Sequence, residues 1–364
     1  MSGSSFDQWA LPPGSLVRST NRRQVLTMGI GATAAAVLTR PGLSAAAQAT
    51  PAEETTVETR VYELPGDDAY PNGIAFDPVT DLFYVGNTED GTILRGDVES
   101  GEVEVFSEGG ADGRGPVFGL ELDGTGNLYV AARPAEVFVY DTVGGGLRGR
   151  FANGRDSDGR TQEIAIAPDG AAYVTDATTP VVYRISPEAV TGAATASADG
   201  GTTGAPARDL EVFVDLVGTP FAYRDGAEAD GINADGIVVT PDGEYLLVVQ
   251  PNTGRLYRIA VATKEVVAVD LGGATLARGN GMDLDGRTLY VVLIEDGSIV
   301  PVAMADDYAS GVAGEGIVDR SLDRPTAIAV IGDGTALVAN HQASPPDPPE
   351  LPFVVSRLTL PPTE

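Results

Sequence analysis

Six short segments of the chain repeat one another, and this repeat restricts the possible fold more than any other feature. Asn72-Gly73-Ile74-Ala75-Phe76-Asp77, Phe118-Gly119-Leu120-Glu121-Leu122-Asp123 and Gln162-Glu163-Ile164-Ala165-Ile166-Ala167 superpose position by position. So do Asp235-Gly236-Ile237-Val238-Val239-Thr240, Asn280-Gly281-Met282-Asp283-Leu284-Asp285 and Thr326-Ala327-Ile328-Ala329-Val330-Ile331. Their second residues, Gly73, Gly119, Glu163, Gly236, Gly281 and Ala327, follow one another at 46, 44, 73, 45 and 46 residues. A period of this length marks units that bury their apolar faces only against their neighbours in an array.

After each segment, a turn rich in Asp and Gly leads into a second apolar run, such as Leu82-Phe83-Tyr84-Val85 or Tyr245-Leu246-Leu247-Val248. Third and fourth runs follow, as in Leu256-Tyr257-Arg258-Ile259 and Val103-Glu104-Val105-Phe106. Short β-rich runs between tight turns, without helical periodicity, predict an all-β, six-bladed β-propeller with four antiparallel strands per blade. The run from Val57 to Leu64 is a spare strand, and pairing it as the outer edge of the sixth blade would close the ring and hide two sheet edges.

The 73-residue interval holds the one irregularity. Its Thr/Gly/Ala-rich stretch 186–210 predicts a flexible insertion in blade three. The following stretch, Val217 to Ile232, carries Phe221, Tyr223, Arg224, Asp225 and Asp230, and is a candidate lid over the central opening.

Near the N-terminus, Arg22-Arg23 precedes an apolar run from Val25 to Leu38 and the small-residue site Ala47-Gln48-Ala49. The pattern resembles a twin-arginine export signal, which predicts a cleaved leader over 1–49, a single propeller domain over 50–364 and a secreted, extracellular protein. A transmembrane anchor needs about 20 apolar residues, and this run is shorter and interrupted by Thr33.

Composition then narrows the chemistry. With 52 Asp+Glu against 23 Lys+Arg, the chain has a net charge of −29, which repels phosphate backbones and anionic lipid. Neither nucleic acid nor a membrane is expected as a partner; a small-molecule substrate is. Cys is absent and His341 is the only His, which removes the usual Zn, Cu and Fe ligand sets and argues against a redox-metal enzyme such as a superoxide dismutase. No Ser lies in a recognisable acid–His motif, so serine hydrolysis is also excluded. Oxygen ligands and hard cations remain.

In a propeller the inner strand of each blade lines the channel, and its first residues reach one mouth. At that level the repeat places Asn72, Phe118, Gln162, Asp235, Asn280 and Thr326, four of them amides or a carboxylate. An unpartnered buried amide or carboxylate costs a few kcal/mol, so these residues need a role. Two readings stand: a Ca²⁺ site, or one for another hard divalent cation, held by Asn72, Gln162, Asp235 and Asn280; or a polar, water-filled tunnel without an ion. Glu163, Tyr223, Asn233, Asn340 and His341 are candidate contacts at the substrate mouth, with Asn87 matching Asn340 on its rim. Asp156-Ser157-Asp158-Gly159 resembles half of a calcium loop but lacks the distal Glu, and reads as a turn between blades.

One long stretch carries a family resemblance: Asp230-Gly231-Ile232-Asn233-Ala234-Asp235-Gly236-Ile237, Pro241-Asp242-Gly243, Asn252-Thr253-Gly254-Arg255-Leu256-Tyr257-Arg258, Asn280-Gly281 and Gly286-Arg287-Thr288-Leu289-Tyr290-Val291-Val292. The chain resembles the senescence marker protein/gluconolactonase (regucalcin-like) family of six-bladed, calcium-dependent propellers over about residues 55–360, in an exported bacterial sub-branch. It is also similar in fold to paraoxonases and strictosidine synthase-like proteins. The resemblance implies metal ligands opening blades one, four and five, which fall on Asn72, Asp235 and Asn280. Asn72 stands where the family has an acid, and Asn280 where it has the Asp proposed for proton transfer. The resemblance therefore implies that Asp235 combines ligand and catalytic base in a hydrolase acting on a lactone or ester. The competing readings are a non-catalytic binding or scaffold propeller and a condensing enzyme relying on Glu163; fold alone does not choose among them.

Overall fold

The computed structural model of the chain describes residues 59–154, 159–191, 207–223, 232–332, 334–343 and 348–361. Those residues form six small antiparallel sheets, each begun by one of the six repeated segments. Blade one comprises Pro71–Asp77, Leu82–Asn87, Ile93–Asp97 and Val103–Ser107. Blade two comprises Val117–Leu122, Asn127–Ala132, Glu136–Asp141 and Leu147–Ala152. Blade three comprises Thr161–Ile166, Ala172–Asp176, Val181–Ile185 and Glu211–Asp215. Blade four comprises Ile237–Val239, Tyr245–Gln250, Arg255–Ala260 and Val266–Ala268. Blade five comprises Gly279–Asp285, Thr288–Leu293, Ser298–Met304 and Gly311–Ala313.

Blade six takes Pro325–Gly332, Thr335–Asn340 and Val354–Thr359 from the end of the chain and Arg60–Glu63 from its beginning. The spare N-terminal strand therefore closes the ring as expected, with Tyr62 opposite Val355 and Arg60 opposite Arg357.

The second strands are the most apolar because they are covered on both faces. Leu128, Tyr129, Val130, Ala131 and Ala132 of blade two are all buried, odd positions facing one neighbour and even positions the other. Six apolar clusters result, one in each gap between adjacent blades. The cluster between blades six and one contains Tyr62 and Leu64 together with Phe83, Val85, Leu337 and Phe353.

Two regions differ from expectation. The flanks of the predicted flexible insertion are ordered: residues 187–191 make a helical turn, and Arg208–Asp209 pairs in parallel with Phe151 and Ala152 of blade two. Leu210 is buried beside that added strand, and this contact holds the flank down. In the predicted lid, Phe221 is fully buried against Tyr257, with ring centroids 4.4 Å apart, in the cluster between blades three and four. That part of the segment is core, drawn in by the apolar area of Phe221. The central part of the insertion (192–206), Arg224, Asp225 and Asp230 of the lid, Asp156, Ser157 and Asp158, and the expected leader over 1–49 lie outside the described residues.

Tyr62 carries much of the closure. It is 1% exposed, packs edge-on against Phe83 and donates its hydroxyl to the Val98 carbonyl of blade one at 3.0 Å. Tyr62→Ala is expected to lose about 3–5 kcal/mol of unfolding free energy in a denaturant titration. Tyr62→Phe, which removes only the hydrogen bond, should lose about 1 kcal/mol.

Candidate functional site

The inner strands approach one another so closely that four glycines are required. A Cβ added at Gly73 would lie 2.2 Å from the Phe118 carbonyl oxygen, and one at Gly236 would lie 2.2 Å from that of Asn280. Gly119 meets the Gln162 carbonyl oxygen in the same way, and Gly281 that of Thr326. Thr326 completes the circle by donating its hydroxyl to the Asn72 carbonyl at 2.9 Å, and Thr175 ties blade three to blade four by donating to the Asp235 carbonyl at 2.8 Å. Asn72, Phe118, Gln162, Asp235, Asn280 and Thr326 therefore occupy one level of the ring.

At that level, four side-chain oxygens are buried without a hydrogen-bond partner, Asn72 Oδ1, Gln162 Oε1, Asp235 Oδ1 and Asn280 Oδ1, and one position further along its strand Glu163 Oε1 is orphaned too. Each belongs to a residue less than a tenth exposed. Thr326, by contrast, is used structurally, and Phe118 presents its ring to Arg133, whose guanidinium carbon lies 4.1 Å from the ring centroid. Among the described residues, no group of three His, Cys, Asp or Glu side chains is placed to hold a metal, and three of the four orphaned ring oxygens belong to the amides of Asn72, Gln162 and Asn280.

Burial pushes the Asp235 carboxyl up to about 7, opposed by the hydrogen bond from Gln162 and by the positive charges of Arg160 and Arg133. Desolvation brings Arg133 down to about 9, helped by the like charge of Arg160, and lowers Arg160 for the same first reason. Both Nη atoms of Arg133 are buried without a partner. Asp176, the other acid beside these guanidiniums, uses Oδ1 to accept the backbone N–H groups of Arg160, Thr178 and Thr179. The mouth thus sets acceptor oxygens beside guanidinium donors.

The channel continues from this ring into a cavity of about 480 Å³ that holds Glu163, Glu121 and Asp283. Glu163 is raised well above the usual carboxylate range by burial, then by Asp235 and Glu121. Burial lifts Glu121 to about 8, with Asp283 adding to the shift, and lifts Asp283 to about 6 against hydrogen bonds from the Val330 and Leu284 N–H groups.

The remaining expected mouth residues divide. His341 packs with its ring centroid 5.7 Å from that of Tyr70 and its Nδ1 buried without a partner, and burial together with the charge of Arg324 pushes its imidazole down to about 4. Asn340 is not on the rim: it is fully buried in blade six, where its amide donates to Ser356 Oγ at 2.9 Å and accepts from the Asp323 N–H. Asn233 is likewise committed, donating to the Ala177 carbonyl and accepting from Asn252. Tyr223 gives its hydroxyl to the Asp176 carbonyl, which fastens it between blades three and four. Asn87 donates to the Asp68 carbonyl and caps the Glu89 N–H. Strand-end position alone does not distinguish an asparagine facing a ligand from one that caps a turn.

Four groups of the site lie outside the expected set: Arg133, Arg160, Glu121 and Asp283. Three had a signal in the repeat. Glu121 and Asp283 occupy its fourth position, where the other copies carry Ala75, Ala165, Val238 and Ala329. Arg160, with Arg278 and Arg324, lies two residues before the ring position in three of six blades.

No family model and no curated protein matches the chain. Solved structures match it in fold. Regucalcin of Agrobacterium tumefaciens, a calcium-binding protein, is 14% identical over 80% of this chain and 90% of its own, with a TM-score of 0.55. A luciferin-regenerating enzyme is 12% identical over 83% and 95%, with a TM-score of 0.55. Virginiamycin B lyase of Staphylococcus aureus is 12% identical over 83% and 99%, with a TM-score of 0.51. The likeness establishes a shared β-propeller fold.

Two titrations check these electrostatics. His341 is the only His, so its imidazole signals in a proton NMR titration are unambiguous; they should keep their neutral shifts down to about pH 5 and move only near the shifted value of about 4. Glu121 takes up its proton in the folded state at about 8 but at about 4.5 when unfolded, so the folded state binds more protons between these values. Its contribution to stability is full below about pH 4.5 and is lost as pH rises through about 8. Melting temperatures across that window should fall less steeply for Glu121→Gln than for the parent protein.

Proposed function

We propose that the chain is an exported, cation-dependent hydrolase of a lactone or related ester, working at the channel mouth ringed by Asn72, Gln162, Asp235 and Asn280. The observation that carries this reading is the set of four orphaned oxygens on that ring. Leaving so many acceptors buried and unpaired is unfavourable by a few kcal/mol each unless something donates to them. The donor types fit Ca²⁺, which takes carboxylate, amide and water oxygens. The likeness to a calcium-binding regucalcin supports the reading at the level of fold.

Bound there, a divalent cation supplies a Lewis acid that polarises an ester carbonyl. The chain's own groups account for the rest. Asp235, poised near neutrality by burial, takes a proton from the attacking water. Arg133 presents two unpartnered guanidinium nitrogens to the negative charge that builds on the carbonyl oxygen. Gln162 orients the Asp235 carboxylate through its amide N–H. Arg133 and Arg160 also oppose a cation, and the ring itself carries only the charge of Asp235. The expected Ca²⁺ affinity is therefore weak, on the order of 10⁻⁴–10⁻³ M, as in extracellular calcium modules.

A second reading, a lyase using His341 as base, draws on its buried, neutral imidazole. One of the structural neighbours is a catalytically inactive His-to-Ala variant of virginiamycin B lyase from Staphylococcus aureus.

Calorimetric titration with Ca²⁺ and a panel of lactones and aryl esters separates the readings. Asp235→Ala should remove saturable Ca²⁺ binding and lower hydrolysis by about 10²–10⁴-fold, while His341→Ala leaves both within a few-fold. Loss of activity in His341→Ala with Ca²⁺ binding intact would favour the lyase. Absence of Ca²⁺ binding in the parent protein would favour a non-catalytic propeller.

A further inference from the structure

The channel has a second end, and its chemistry differs from that of the oxygen ring. The ring residues begin the inner strands; the cavity of about 480 Å³ extends along their later positions. Its walls there are Phe76, Leu122, Ile166, Val239, Leu284 and Ile331, all partly exposed, so the cavity opens on the face opposite the ring. The volume is that of a small-molecule pocket, and far larger than a bare ion needs.

Three acids line this apolar-walled space: Glu121, Asp283 and Glu163. No Lys, Arg or His is among the described residues that line it. Glu163 lies between the two ends: it feels the charge of Asp235 on one side and of Glu121 on the other. Its carboxylate lies over Gly119 of blade two, where an added Cβ would come within 2.8 Å of Glu163 Oε2. Its other oxygen, Oε1, is buried without a partner, on a residue 8% exposed.

The partners these acids already have narrow the ligand. Glu121 accepts from the Leu122 N–H at 2.9 Å, and Asp283 accepts from the Leu284 and Val330 N–H groups at 2.7 and 2.6 Å. These bonds orient the carboxylates but use part of their acceptor capacity. A hard metal ion asks for six to eight oxygens in one shell, and the apolar walls supply none. A primary ammonium asks for only three acceptors, and its hydrocarbon body is matched by the Ile, Leu, Val and Phe walls.

We propose that this second mouth is a binding site for a small organic cation, a primary amine with an apolar body, whose ammonium is held by Glu163 and Glu121, with Asp283 on the facing wall. The site is independent of the hydrolase reading: it opens on the other face and requires neither Asp235 nor a metal.

The test is calorimetric titration of the full chain with hexylammonium chloride, hexan-1-ol and CaCl₂, on the parent protein and on Glu121→Gln/Asp283→Asn. The parent should bind one hexylammonium per chain, and hexan-1-ol about tenfold or more weakly, because the alcohol matches the body and lacks the charge. The double variant should lose hexylammonium affinity by a similar factor and keep any Ca²⁺ isotherm of the ring. Equal binding of amine and alcohol, absence of saturable amine binding, or an unchanged double variant would each overturn the proposal. So would a second Ca²⁺ per chain that disappears in the double variant, since the carboxylates would then serve an inorganic ion. The comparison of amine with alcohol on the parent protein requires no variant to fold.

Discussion

Everything at the centre of this molecule follows from how closely six inner strands are forced together. Four of the six adjacent pairs meet where a glycine lies against a neighbour's backbone carbonyl, with no room for a Cβ. That approach brings the preceding residue of each strand to one level around the axis. The polar side chains there are less than a tenth exposed, and the filled ladders of the blades leave them few backbone partners; Thr326 finds one in the Asn72 carbonyl. The orphaned oxygens of Asn72, Gln162, Asp235 and Asn280 are a direct consequence of this geometry. The outer strands serve the same end, since the pairing of Arg60–Glu63 with Val354–Thr359 and the insertion of Tyr62 into blade one keep the circle closed.

Within that ring the charge pattern is mixed. Asp235 is the single carboxylate at the first level, and two guanidiniums lie near enough to lower its pKa while burial raises it. The balance leaves it near neutrality, in contrast to a surface aspartate. The same guanidiniums are themselves poorly solvated and bring unpartnered donors to the mouth. A site with acceptors on one side and donors on the other suits a polarised carbonyl better than a bare cation, which is why substrate and cation are proposed to share it.

Glu163 occupies the position where a glycine stands in four of the other five repeats, and it links the two halves of the channel. Being larger than glycine, its side chain crosses over Gly119 towards blade two, and its carboxylate couples to Glu121 in the cavity as well as to Asp235 above. A chain with a net charge of −29 tolerates further acids easily on its surface. Inside a cavity without a basic wall the same charges are unfavourable, and the raised pKa values of Glu121 and Asp283 express that cost.

The amino-acid sequence by itself determined the number of blades, the strands in each and the pairing of the chain's beginning with its end, because a six-fold repeat of alternating apolar runs has few ways to bury its faces. It also identified the polar ring, since position within a repeat maps directly to level along the axis. Which asparagines face the channel was decided only by tertiary structure: Asn340 ends a strand and Asn233 leads into an inner one, but both are used up by Ser356, Asp323, Ala177 and Asn252. Phe221 read as part of a lid until packing against Tyr257 made it core. The proximity of Arg133 to Asp235, and of Glu121 to Asp283 across blades two and five, joins residues more than 100 positions apart, and no local pattern carries that information. Hydrophobic periodicity acts through neighbours in the chain, whereas burial and Coulomb coupling act through space.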